Sequence, residues 1–162
     1  MKSLGTVTGV MALAMWMAFP AAPARAQSGG GAASCTVTEL VATNDKKGVD
    51  PKLEKLKSKL GKPPMSAFDT FEFLGEQEVS PERLKPLSVK LVNGNLTVLL
   101  KDKTVVQDGK PRLRIGIEHD GKDGTRVVST VVQFDSGDVV LVGGKAFDKG
   151  TYFLALGCTA TP

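Results

Sequence analysis

The chain is poor in the side chains on which most catalytic and nucleic-acid sites depend. Its 162 residues include one histidine, one tryptophan, one tyrosine and two cysteines. One histidine and two cysteines cannot furnish the ligands of a usual zinc site, and no G-x-S-x-G or other serine-nucleophile signature occurs. Aromatic residues make up 6% of the chain. The single tryptophan, Trp16, lies in the apolar N-terminal stretch. The remainder keeps six phenylalanines and one tyrosine, most of the phenylalanines needed for the core, so stacking platforms for single-stranded nucleic acid or for sugar rings are scarce. A membrane-spanning helix needs about 18 or more apolar residues in a row. The N-terminal run from Val10 to Phe19 is shorter and ends at Pro20.

That run, the basic Lys2 before it and Ala24-Arg25-Ala26 after it read as a secretory signal peptide, residues 1–26, cut after Ala26. No transmembrane anchor is expected after cleavage. The exported chain then carries 19 basic and 17 acidic side chains, a net charge of +2, so the whole-chain balance of +4 overstates how basic it is. Residues 27–34, "QSGGGAAS", read as a flexible leader, because Gly and Ser are costly to order and offer little to bury. Residues 35–162 show one composition and no repeat, hence one domain with enough chain for a core.

Cys35 and Cys158 stand near the two ends of that domain. In an exported protein such a pair reads as a disulfide joining the first strand to the last. Closing so long a loop contributes up to about 5 kcal/mol in the chain-entropy description. A lipid-anchored Cys35, preceded by Ala32-Ala33-Ser34, is the rival reading. It places the cysteine too far from the apolar run and leaves Cys158 alone.

Eight segments have the alternation or β-branched and aromatic enrichment of strands, from "CTVTELVAT" to "TYFLALGC". "LSVKLV" and "NLTVLL" meet at Asn93-Gly94, a strong hairpin signal. "DGKDG" marks a second hairpin. Its Asp and Gly serve turn geometry and lack the distal glutamate of an EF-hand calcium loop. Gly143-Gly144 reads as a bulge or tight turn near a sheet edge. The expected fold is mainly β: an antiparallel β-sandwich of about eight strands, with one short helix near the N-terminus. Val127 to Val132 is apolar enough to predict deep burial.

The helix is expected over residues 51–60, with Asp50 as N-cap, Pro51 at the first position and Gly61 ending it in a left-handed turn. Leu53, Leu56 and Leu60 form one apolar stripe. Lys52, Lys55 and Lys59 fall to one side of it, where like charges cost about 0.2–0.5 kcal/mol per pair. Residues 46–62 hold seven lysines against Asp50 and Glu54, whereas residues 63–82 hold five acids and no base. The lysines are therefore either a solvated face neutralised by the acids or a patch for an anionic partner. His119 is either a general base beside Glu118 and Asp120 or a partly exposed hairpin-end residue, the second being favoured. Asn95-Leu96-Thr97 is a formal glycosylation sequon.

The signal segment, "VATNDKKGVDPKLEKLKSKL", "PPMSAFDTFEFL" and "VVLVGGKAFDKGTYFLAL" resemble small exported β-rich proteins of Gram-negative bacteria. The resemblance spans most of the exported chain. It implies export and a β-rich domain, and brings no catalytic residue with it. The functional expectation is a non-catalytic periplasmic or extracellular binding module with no cofactor. Its partner would be another envelope protein, met through Lys52, Lys55 and Lys59 or through a sheet edge. The alternative is anionic envelope material, lipopolysaccharide or acidic lipid, met through the same lysines. Nucleic acid is not expected as a partner.

Overall fold

A computed structural model describes residues 32–106 and 109–161. The expected signal peptide and most of the expected leader lie outside them. Among the described residues nine strands form two sheets. They are β1 (Ala33–Thr43), β2 (Gly48–Val49), β3 (Thr70–Val79), β4 (Pro86–Leu91), β5 (Gly94–Val105), β6 (Pro111–Asp120), β7 (Arg126–Asp135), β8 (Val139–Phe147) and β9 (Gly150–Ala160). One sheet runs β2-β3-β1-β9-β8 and the other β4-β5-β6-β7. These strands pair antiparallel except the two-residue β2 against β3, and Arg83 forms an isolated parallel bridge to Leu100. The expected β-sandwich is the fold, with β2 as the strand too short for the sequence to announce. The helical segment lies between β2 and β3 rather than at the start of the chain.

Period-two alternation explains the main core. Val37, Val41, Leu154 and Leu156 from the first sheet meet Leu96, Val98, Leu100, Leu113, Ile115 and Ile117 from the second. β1 is buried on both faces from Val37 onward, apart from the contact of its edges with neighbouring strands. Its other face lies under the helical segment, where Leu40, Ala42, Phe71 and Phe153 pack on Leu53, Leu56, Leu60 and Met65. The molecule is thus helix on sheet on sheet over this region. β7 departs from expectation. As the edge strand of its sheet it buries only Phe134 fully, and Val131 is 43% exposed. An apolar run does not by itself secure a central place.

Cys35 and Cys158 face each other in register on β1 and β9 and are bonded, with their Cα atoms 4.0 Å apart. The bond joins first strand to last, as the spacing suggested, and belongs to an oxidising compartment. With its sulfur so engaged and 1% of its surface exposed, Cys35 offers no thiol for a lipid. Ala33 and Ser34, assigned to the leader from composition, already pair with Ala160 and Thr159 in β1. Small residues suit that position because Ala33 is packed inside the core.

Three turns refine the sequence reading. The β4–β5 hairpin pairs Leu91 with Gly94, so Val92 and Asn93 are the turn residues and the glycine opens the next strand. Gly94 has φ +107°, and a Cβ there would lie 2.0 Å from the Asp120 carbonyl oxygen. The close approach of β6, more than the turn, is what demands glycine. The second hairpin spans Asp120 to Arg126 as expected. Gly143 and Gly144 mark a register shift between β8 and β9, on an edge strand.

Candidate functional site: a groove beside the lysine-bearing helix

Asp50 caps the helical segment, accepting from the Lys52 amide at 2.8 Å, and Pro51 follows at the first position. The segment is not one α-helix. It starts as a 3-10 helix, Pro51–Leu56, and becomes α-helical only over Lys57–Leu60. Gly61 ends it at φ −76°, so no left-handed turn is made. The three leucines dock on the outer face of the first sheet as their spacing required.

The change of pitch decides which lysines act together. In a 3-10 helix residues i and i+3 eclipse, so Lys52 and Lys55 lie one above the other. Lys59 follows the switch to α geometry, is half-buried, and does not line the groove that the other two border. That groove, of about 260 Å³, runs between the helical segment and the uncovered part of the sheet's outer face. Thr36 and Thr38 of β1 with Ala155, Gly157 and Thr159 of β9 form its floor. Glu76 and Glu78 of β3 also line it. The Thr38 hydroxyl donates to Glu76 Oε2 at 3.0 Å. Lys52 Nζ lies 4.9 Å from the Phe73 ring centroid, a contact worth about 0.5–1 kcal/mol when exposed.

Two of the seven lysines in residues 46–62 are ion-paired inside the molecule. Lys57 pairs with Glu54 at 3.0 Å and Lys47 with Glu72 at 3.5 Å. Among the described residues Lys52 and Lys55 form no ion pair, yet they share the groove with two glutamates. The arrangement offers two donors, two acceptors and a threonine floor.

A second polar constellation was not foreseen. His119 is not at the surface: it has 0% exposure and stacks on Tyr152 with ring centroids 5.3 Å apart. Its Nε2 lies 2.7 Å from the Asn93 carbonyl oxygen, and its Nδ1 has no partner among the described residues. Glu39, 2% exposed, accepts from the Val92 amide at 2.6 Å, the Asn93 amide at 3.1 Å and the Tyr152 hydroxyl at 2.7 Å. Burial first, and the Glu39 carboxylate second, push the Tyr152 hydroxyl far above its ordinary pKa. These five residues tie the β4–β5 hairpin and β6 of one sheet to β1 and β9 of the other. Glu118 and Asp120, the expected orienting carboxylates, instead hold Arg126, the first at 2.9 Å. Strand parity carried the missing signal. His119 continues the inward series Leu113, Ile115, Ile117, and Glu39 continues Cys35, Val37.

The fold and groove define a disulfide-clasped antiparallel β-sandwich with a polar cleft on one outer face. No protein-family model matches the chain, and neither curated proteins nor solved structures give a significant match.

Proposed function

We propose that the protein is an exported, non-catalytic module of the periplasm or extracellular space that binds another protein of the cell envelope. The observation that carries this reading is the groove that Lys52 and Lys55 share with Glu76 and Glu78. A polypeptide surface bearing both charges and backbone amides complements such a groove. A polyanion such as lipopolysaccharide or an acidic lipid layer would meet the two glutamates with the two lysines, so that reading loses its electrostatic advantage. The burial of His119 removes that residue as a general base, since a general base must come within hydrogen-bond reach of its substrate.

The test is affinity capture from envelope extract with wild-type protein and a Lys52→Glu/Lys55→Glu variant. Specific capture of a protein that the variant loses is the expected result. A variant that keeps the same partner with the same salt dependence overturns the groove as the contact. Retention on anionic vesicles that collapses between low and physiological salt would favour the lipid reading instead.

A further inference from the structure

The two sheets fail to close along one side. β4 is an edge strand, and β3 has only the two-residue β2 on its outer side, at Thr70 and Phe71. Beyond those residues β3 faces β4 across a gap of about 580 Å³ lined by Gln77, Val79, Leu87, Val89 and Lys90 among others. Val79, Leu87 and Val89 belong to the core or pack against it, so the gap opens onto apolar surface.

Three features of this seam call for a backbone. The Gln77 side-chain amide donates to the Lys90 carbonyl oxygen at 2.5 Å. A side chain there does what the amide of an adjoining strand would do for an edge carbonyl. β2 then shows that the β3 edge accepts a strand, since Asp50 N donates to Phe71 O at 2.9 Å just before Pro51 turns the chain away. Finally, exposed apolar residues flank β4. Leu84, 67% exposed, precedes it, and Val92, 48% exposed, follows it. A Cβ at Gly75 of β3 would lie 3.2 Å from Val92 Cγ2, so Val92 marks one end of the seam.

We infer that an extended segment of the partner protein, alternating apolar and basic residues, adds as a strand along the free edge of β3 in this seam. The inference rests on the reading of the protein as a protein-binding module and names how the partner is held. Main-chain pairing supplies affinity and alternate side chains supply selection. Inward positions of the added strand meet Val79, Leu87 and Val89. Outward positions lie beside Glu78, which is exposed and lines the gap with Glu82, while exposed Glu76 stands next to it on β3, outside the lining. Those acids select lysine or arginine and oppose pairing of β3 with β3 of a second copy, which would set like charges opposite one another.

The test uses the full exported chain with its disulfide intact and three capped octapeptides. One alternates valine and lysine, one alternates valine and glutamate, and one is the lysine peptide N-methylated at alternate residues. Binding is read by titration and by amide chemical-shift changes. The lysine peptide is expected to bind at least tenfold more tightly than the glutamate peptide. Its shifts should be centred on residues 76–79 and 87–90, and N-methylation should abolish binding. A Glu76→Lys/Glu78→Lys variant should reverse the charge preference. Equal binding of the N-methylated peptide means adsorption by charge and overturns strand addition. Shifts confined to the groove floor, or no binding at 1 mM peptide, a concentration chosen as roughly the weak end of specific recognition, overturn it as well. Such a failure leaves the capture experiment above to stand or fall by itself, because that experiment reads Lys52 and Lys55.

Discussion

Tyr152 is the residue on which the two sheets are most closely interlocked. It is 1% exposed, stacks on His119 and donates to a carboxylate that is itself buried. Tyr152→Phe should cost about 1–3 kcal/mol, because Glu39 then loses a donor it cannot replace from water. Equilibrium denaturation measures that loss. The same hydroxyl gives the stability a pH signature. Its folded pKa lies above the unfolded value of about 10. Its contribution is therefore complete below pH 10. Above it the unfolded chain releases the proton and the folded chain does not. Stability then falls by up to about 1.4 kcal/mol per pH unit. The difference between wild type and Tyr152→Phe above pH 10 isolates this from lysine titration. None of this cluster was apparent from residue type. Polar residues in strands are expected outside, and only the parity of His119 with Ile117 and of Glu39 with Val37 betrayed their direction.

Elements were more legible than residues. Strand boundaries follow from alternation and turn chemistry, and these act over a few residues. What alternation does not convey is rank within a sheet. "VVSTVV" looked central and lies on the edge strand β7 because its neighbours in space are set by connections elsewhere. The helical segment was legible through its cap and its leucines. Its 3-10 start was not, and it is the 3-10 pitch that separates Lys59 from Lys52 and Lys55. Leu53, 0% exposed, anchors that segment. Leu53→Ala should cost about 2–5 kcal/mol, read by thermal or chemical denaturation, and should loosen the groove wall, weakening partner capture at temperatures where the sandwich stays folded. The hairpin at Gly94 gives a paired test. Gly94→Ala meets both a positive φ and the Asp120 carbonyl, and should cost at least about 2 kcal/mol. Gly124→Ala, at φ +75° with open space around it, should cost only about 1 kcal/mol. Equal costs would mean that β6 yields to the hairpin.

On the scale of the whole molecule, the cysteine pair gave the sequence its longest reach. Two cysteines and an apolar N-terminal stretch were enough to foresee a bond across 123 residues. Adjacency of β1 and β9 was the part no local pattern could supply. Reduction of the Cys35–Cys158 bond should lower stability by up to about 5 kcal/mol, measured by unfolding with and without reductant. Thiol titration of the unreduced, denatured protein should find no free sulfhydryl.

The position of β1 between β3 and β9 has a consequence for how the molecule comes into being. The earliest strand to emerge cannot complete its hydrogen bonding until the last strand arrives. Contacts so distant along the chain make assembly slow. A chain made start-first therefore cannot close the first sheet, or bring its two sulfurs together, until nearly all of it is available.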